Sequence, residues 1–481
     1  MADERSLDPD DWDAVRRLFD AAIDRSLGDM RQVRKRPVWQ STPEGVRTSL
    51  SEPLPKSGCP LEDLLGFVDD AMRPYVTGNT HPRFFGWVHG SGNVAGVLGE
   101  MLAAFMDCNA GGRDHIAVYV ERQVIAWSKE LFGIPSSASG ILTSGTSMGT
   151  LIALAAARSD RAPADVQTLG LAAAGCRLVG YASSEAHGSI GKAFALLGLG
   201  TQALRKVPTD GDFRMRMDLL MGMVDADRAA GLTPFVVIAT AGSVNTGAID
   251  PLADIGRWCR SQGLWLHVDA AFGGLAIAVP EFHPALAAIA EADSIAFDFH
   301  KWMHVPYDAG CVLVRDEAAH RRPFASRPHY LSSYPGGLAG GEPWFCDYGP
   351  ELSRGFRALK IWFTLKAYGM DRISSLIARN CAQARALALL IAGMPELQLL
   401  AAVSLNIVCF RFAGGLLEGR LDDLNSGIVC ALQETGVAAP STTRIDGKLA
   451  IRICLTNHRT IDADLQILVA EVLRLGRAAS R

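Results

Sequence analysis

Residues 264–274 read Leu-Trp-Leu-His-Val-Asp-Ala-Ala-Phe-Gly-Gly, an apolar run that ends on a carboxylate and gives way to small residues. A strand that is apolar along its length has to be covered on both faces, as the strands of parallel sheets are. Working outward, similar runs occur at Gly140 to Leu142, Arg177 to Ala182, Phe235 to Thr240, Ser294 to Phe297 and Gly310 to Val314, with helical segments between them. Strands spaced by helices predict an α/β fold whose large domain, 91–350, holds a mostly parallel sheet. Beyond about residue 350 the pattern changes. A helix over Ser353 to Tyr368 and another near 374–393 precede strands at Ser404 to Phe412 and Lys448 to Leu455. In the last of these Leu449, Ile451, Ile453 and Leu455 share one face while Lys448 and Arg452 turn away. This predicts a smaller C-terminal α/β domain over 351–481. Residues 1–90 complete the chain as an N-terminal helical segment, 8–36, and a Pro/Ser/Gly-rich linker or wrapping arm.

The chain has 481 residues and a formal net charge of −4, a balance that argues against binding nucleic acid or an anionic membrane. Hydrophobic residues make up 49% and charged ones 20%, ample material for a packed core. The acidic start MADERSLDPDDWDAVRRLFD lacks the basic and apolar regions of a signal peptide, so export is not expected. No apolar run reaches the roughly 18 residues of a spanning helix. The ten cysteines are scattered without a C-x-x-C pair, as reduced thiols in a cytoplasm would be. The basic run RQVRKRP at 31–37 reads as a solvated helix end.

Four motifs carry chemistry. Asp293 to Trp302 is a short strand running into His300-Lys301-Trp302. A lysine just past a strand, beside aromatic rings, can be desolvated enough to lose its proton and act as a nucleophilic amine, although an ordinary surface lysine fits the tripeptide equally well. Asp269 ends its strand where parallel sheets bind ligands, or serves as a turn residue. Ile141 to Leu154 is a strand, a turn rich in Gly, Ser and Thr, and a helix. Its free N–H groups, with the hydroxyls of Ser144, Thr146 and Ser147, suit a phosphate. His187 lies in Ala186-His-Gly-Ser-Ile-Gly-Lys-Ala193, after a strand, where a structural histidine is the alternative.

In this order the motifs resemble the fold type I pyridoxal-phosphate enzymes, specifically the group II amino-acid decarboxylases, with aromatic-L-amino-acid decarboxylases as familiar members. The resemblance runs from about Pro53 to about Leu465 and takes in His81 to Trp87, 186–193, 267–274, Asp298 to Met303 and Ser353 to Phe363. It implies pyridoxal 5'-phosphate as cofactor. Lys301 is similar to the lysine that carries it covalently, Asp269 to the aspartate paired with the pyridine nitrogen, and His187 to the histidine that stacks on the ring. Ala271 would pack on the other face, and Thr146, Ser147 and His300 fall where the family holds the phosphate. Asp298 stands where relatives often have Asn. Beside a phosphate its carboxylate would have to point elsewhere or share a proton.

The resemblance further implies that Tyr330, in the Pro/Gly-rich segment 321–350, reaches the other subunit's site from a mobile lid and protonates the substrate's α-carbon. Family members that make aldehydes have Phe there. The segment Phe84 to Gly90 matches the strand lining the side-chain pocket, which makes Phe85 and Trp87 substrate-binding candidates. Ser353 sits where plant relatives that take phenolic substrates tend to have Ser. The implied function is therefore decarboxylation of an L-amino acid, aromatic by default and weakly tyrosine or dopa, by a cytoplasmic homodimer with sites at the interface. No metal site is expected. The alternatives are another pyridoxal-phosphate lyase, an aldehyde synthase, or a cofactor-binding protein without catalysis.

Overall fold

The computed structural model describes residues 6–326, 333–415 and 417–480. Seven strands form the larger sheet: β1 Ser139–Thr143, β2 Leu178–Ser183, β3 Leu204–Val207, β4 Thr233–Thr240, β5 Trp265–Asp269, β6 Ser294–Asp298 and β7 Gly310–Val314, in the order β1-β7-β6-β5-β4-β2-β3. β7 pairs antiparallel with both its neighbours, and every other pair among β2 to β6 is parallel. Strands β1, β2, β5, β6 and β7 are buried at every position, which is why they read as apolar runs.

The smaller sheet is antiparallel throughout: β8 Leu397–Leu399, β9 Ile407–Phe412, β10 Ser441–Ile445 and β11 Lys448–Cys454, ordered β10-β11-β9-β8. Helices Glu418–Glu434 and Asp462–Ala479 pack against it with Arg357–Ala392. That last helix is interrupted at Gly369 (φ 69°, ψ 160°), a backbone conformation glycine adopts without strain, so the two helices read from the sequence are real but abut. The first begins at Arg357 rather than Ser353. Upstream, Arg354 is fully buried and forks onto Glu121 at 2.6 and 3.0 Å while donating to Leu142 O at 2.6 Å. Glu121 in turn accepts the Leu142 N–H, so this buried pair with satisfied oxygens pins the strand that leads into the phosphate turn.

Three expectations change. Arg452 turns away from the small sheet's own core, as its register predicts, but lands against the large domain instead of solvent. Its guanidinium donates to Trp87 O at 2.9 Å and Asn245 O at 3.2 Å. The basic run is likewise not simply solvated, because Arg34 grips buried Asp464 at 2.6 Å. The arm contains a short helix, Glu44–Ser49. Among the described residues no helix is long and apolar enough to cross a membrane, and all ten cysteines are free thiols.

Candidate active site

The C-terminal ends of four parallel strands converge on one cleft of about 480 Å³. β4 delivers Thr240, β5 Asp269, β6 Asp298 with His300 and Lys301 beyond it, and the turn after β2 delivers His187. From the other side come Ser144, Thr146 and Ser147, after β1 at the start of helix Thr146–Arg161. Trp87, His89 and Tyr307 close the wall.

Lys301 Nζ lies 2.9 Å from Asp298 Oδ2, and Asp298 Oδ1 accepts the Thr146 N–H at 2.7 Å. Burial alone would lower the lysine pKa, but Asp298 and then Asp269 and Tyr307 outweigh it and hold it above the ordinary value. The expected loss of the Lys301 proton by desolvation is thus not met, because two carboxylates sit beside the ammonium. Asp298 points to Lys301, whose counter-ion it is, and to the Thr146 N–H.

Asp269 is 4% exposed and accepts one backbone N–H, from Ala271 at 3.1 Å. Burial pushes its carboxyl pKa up, against the pull of Lys301. It therefore stands ready for a further cationic partner in the cleft. His187 is exposed, and its Nδ1 accepts the Ser189 N–H at 3.2 Å, which leaves the ring proton on Nε2. His300 Nδ1 accepts the Ala309 N–H at 3.1 Å, and its ring lies 4.3 Å from that of Tyr307. Burial lowers the His300 pKa.

The residues present suit pyridoxal phosphate. Thr146 Oγ1 and Thr240 Oγ1 are both buried without a hydrogen-bond partner among the described residues. The N-cap residue of the helix that begins at Thr146 is Gly145, which has no side chain to cap it, and Asp298 takes up the first amide only. Lys301, Asp269, His187, Ala271, Thr146, Ser147 and His300 all line this one cleft.

Two sequence candidates do not. Phe85 is 1% exposed and belongs to the small domain's core, where the bridge from Phe84 to Ala439 and the Cys454 N–H bond to Phe85 O fasten it. Phe84 packs on Trp87 and His89 instead. Ser353 lines a separate cavity with Asn109, Arg113, Trp344 and Leu352. Tyr330 lies outside the described residues. The segment 321–350 is not all lid, since Trp344, Phe345 and Tyr348 are buried. Sequence reasoning missed Tyr307, His89 as a wall residue, and Thr240. The signal for Tyr307 was an aromatic residue within one turn of the lysine.

Residues 43–413 match the family described as the pyridoxal-dependent decarboxylase conserved domain. An aromatic-L-amino-acid decarboxylase of Bacillus atrophaeus is 30% identical over 97% of this chain and 96% of its own. A histidine decarboxylase of Drosophila melanogaster is 31% identical over 94% of this chain and 54% of its own. The solved structure of Catharanthus roseus tryptophan decarboxylase in complex with L-tryptophan superposes with a TM-score of 0.88 at 25% identity, covering 98% of this chain and all of that one.

Proposed function

The chain belongs to the pyridoxal-dependent decarboxylase family and so is a lyase that uses pyridoxal phosphate on an amino acid; from that premise we propose that its substrate is an aromatic L-amino acid, released as the amine and carbon dioxide. The observation that carries this reading is the convergence of Lys301, Asp269 and the hydroxyl-rich Thr146 turn on one cleft walled by aromatic rings. Bound there, pyridoxal phosphate supplies an electron sink for the bonding pair left as the carboxylate departs.

Lys301 would hold the cofactor through Nζ, with Asp298 placed 2.9 Å away to take up the lysine's proton. Asp269 holds a proton at the pyridine nitrogen, a charge-assisted contact in a buried setting that favours the transition state over the ground state. Thr146, Ser147, Thr240 and the amides at the helix start bind the phosphate, with His300 beside them. His187, exposed on its turn, and Ala271 would hold the cofactor's ring between them.

The same reading carries a homodimer, supported by exposed apolar side chains on the N-terminal segment and the helix after it: Trp12, Phe19, Leu54, Val97 and Phe105. It also carries a reducing compartment, the cytoplasm, in keeping with ten free thiols. The test is a panel of L-amino acids incubated with holoenzyme, with carbon dioxide and amine measured together. Release of both in equal amounts from tyrosine, dopa, tryptophan or phenylalanine is expected. Turnover confined to acidic or aliphatic substrates overturns the aromatic assignment.

A further inference from the structure

A second cavity, of about 250 Å³, shares no lining residue with the cofactor cleft but is reached just past Lys301 in the chain, at His304. His304 is 3% exposed. Its N–H donates to Lys301 O at 3.2 Å, its carbonyl accepts from Asn93 Nδ2 at 2.8 Å, and Ser91 Oγ lies 3.2 Å from its Nδ1. With the Ser91 hydroxyl donating to Nδ1, the ring carries its proton on Nε2, which is buried with no hydrogen-bond partner among the described residues. A buried donor without an acceptor is costly, so this one calls for an occupant of the cavity.

The rest of the lining is cationic. Arg459 is half-buried and donates through one nitrogen to Ser91 O at 3.0 Å, and Arg379 donates to His458 O at 2.5 Å. Arg372 stands with its guanidinium carbon 5.3 Å from the Tyr368 ring. A guanidinium has five N–H groups, so each keeps donors to spare. None of the three arginines is in an ion pair among the described residues, and the charges that bear on His304 and His458 are theirs alone. Like charges gathered around one cavity without a carboxylate draw in an anion. His458 lies edge-on to His304 at 5.0 Å and spends its Nε2–H on Gly92 O at 3.1 Å. Burial, and then the arginines, bring its pKa down to about 4, so the ring is neutral and its Nδ1 is an acceptor. A monohydrogen phosphate matches this set, with oxygens for the donors and one O–H for that nitrogen.

We infer that this cavity is a binding site for a phosphate group, held by Arg372, Arg379, Arg459 and the Nε2–H of His304, and that its occupancy fastens the turn that carries Lys301. The site is independent of which amino acid the enzyme takes. Free phosphate and a small phosphate monoester offer the same chemistry.

The test uses holoenzyme reduced with borohydride, whose cofactor stays in the cleft and closes that phosphate site to added anions. Calorimetric titration at constant ionic strength should show one saturable site per chain for inorganic phosphate and none for chloride. Sulfate, which has no hydrogen for His458, should bind about tenfold more weakly. Tighter binding of glycerol 3-phosphate than of phosphate identifies a monoester as the occupant, and weaker binding identifies the free ion. Arg372→Ala combined with Arg379→Ala changes two exposed residues, leaves the buried histidine in place, and should weaken phosphate about tenfold or more. Phosphate should also slow amide hydrogen exchange in the peptide containing 299–305 severalfold in wild type, and not in the double variant. No saturable phosphate binding to wild type, unchanged affinity in the double variant, or exchange at 299–305 indifferent to phosphate overturns the inference. Absence of binding together with dissociation of the double variant into monomers overturns it in favour of a carboxylate from a second copy of the chain.

Discussion

Asp298 holds Lys301 as an ion pair at 2.9 Å while its second oxygen accepts the first amide of the phosphate-facing helix, so one carboxylate both charges the nucleophile and positions the turn. Capture of the cofactor's aldehyde needs the neutral amine. Asp298→Asn keeps an acceptor for the Thr146 N–H but removes the negative charge, so the Lys301 pKa falls and the neutral fraction at a given pH rises. A change of one in pKa is tenfold in that fraction. Adding pyridoxal phosphate to apoenzyme across pH 6.5–9 should show attachment accelerating with pH in wild type, and the same rise displaced to lower pH in the variant, about tenfold faster near neutrality. Superimposable profiles would show that the pair does not control the lysine.

Lys301→Ala should abolish covalent attachment altogether. Borohydride reduction followed by peptide mapping locates the cofactor on the Lys301 peptide of wild type. Finding it on another lysine in the variant at wild-type yield would remove Lys301 from its role.

Asp269→Asn should retain the cofactor through its phosphate contacts and lose most of its turnover. Removing a charge-assisted contact that strengthens in the transition state costs on the order of 3 kcal/mol, or about a hundredfold in rate. Near-wild-type turnover in a cofactor-saturated variant contradicts the pairing with the ring nitrogen.

Asp250 is a buried carboxylate that no step uses. Its oxygens accept the Met215 and Thr240 N–H groups at 2.7 and 2.8 Å, and burial pushes its pKa from 3.8 up to about 6. An acid with a raised pKa binds its proton more tightly folded than unfolded. Its contribution is therefore fully present below about pH 4 and is lost as pH rises through 6, a change of about 3 kcal/mol. Asp250→Asn has one acceptor for two N–H groups and should be less stable than wild type, by a margin larger at pH 5 than at pH 7.5. Urea unfolding at both pH values checks this; a margin independent of pH means that Asp250 does not titrate in this range.

Tyr330→Phe tests the proton donor expected from the family resemblance. If Tyr330 protonates the α-carbon, its loss should leave carbon dioxide release largely intact and divert product from amine to aldehyde under air, but not under nitrogen, as mass spectrometry of both products would show. An unchanged amine yield removes the role.

The large sheet and the residues that gather in the cleft were legible because both are written locally. A strand buried on both faces is a short apolar run, and a group at its end, such as Asp269 or Lys301, follows in sequence. What was not legible depends on elements that meet only in the folded chain. Asp298 read as an awkward second anion because its partnership with Lys301 is set by the turn at 298–301, not by composition. Phe85 and Phe84 are chemically identical neighbours, and only the fold decides that Phe85 joins the small domain's core while Phe84 packs with Val38 and Ala439. Arg452 has the register of a solvent-facing residue, and nothing in its own strand announces that another domain covers it. Strands β3, β8 and β10 were missed. β8 has only three residues, and β10, Ser441–Ile445, has two exposed positions and one half-buried among its five.

The segment that carries Trp87 and His89 precedes the large sheet in sequence but is fastened to the small one. Cys454 N–H donates to Phe85 O, Arg452 to Trp87 O and Thr456 to His89 O. Trp87 and Arg452 are 365 positions apart. Lys301 belongs to the other body. For anyone recombining relatives of this enzyme, residues 83–90 and the C-terminal sheet form a single inheritable cassette. A chimaera that exchanges one without the other pairs a selectivity wall with a foreign mount, and a crossover near residue 350 alone divides the cassette.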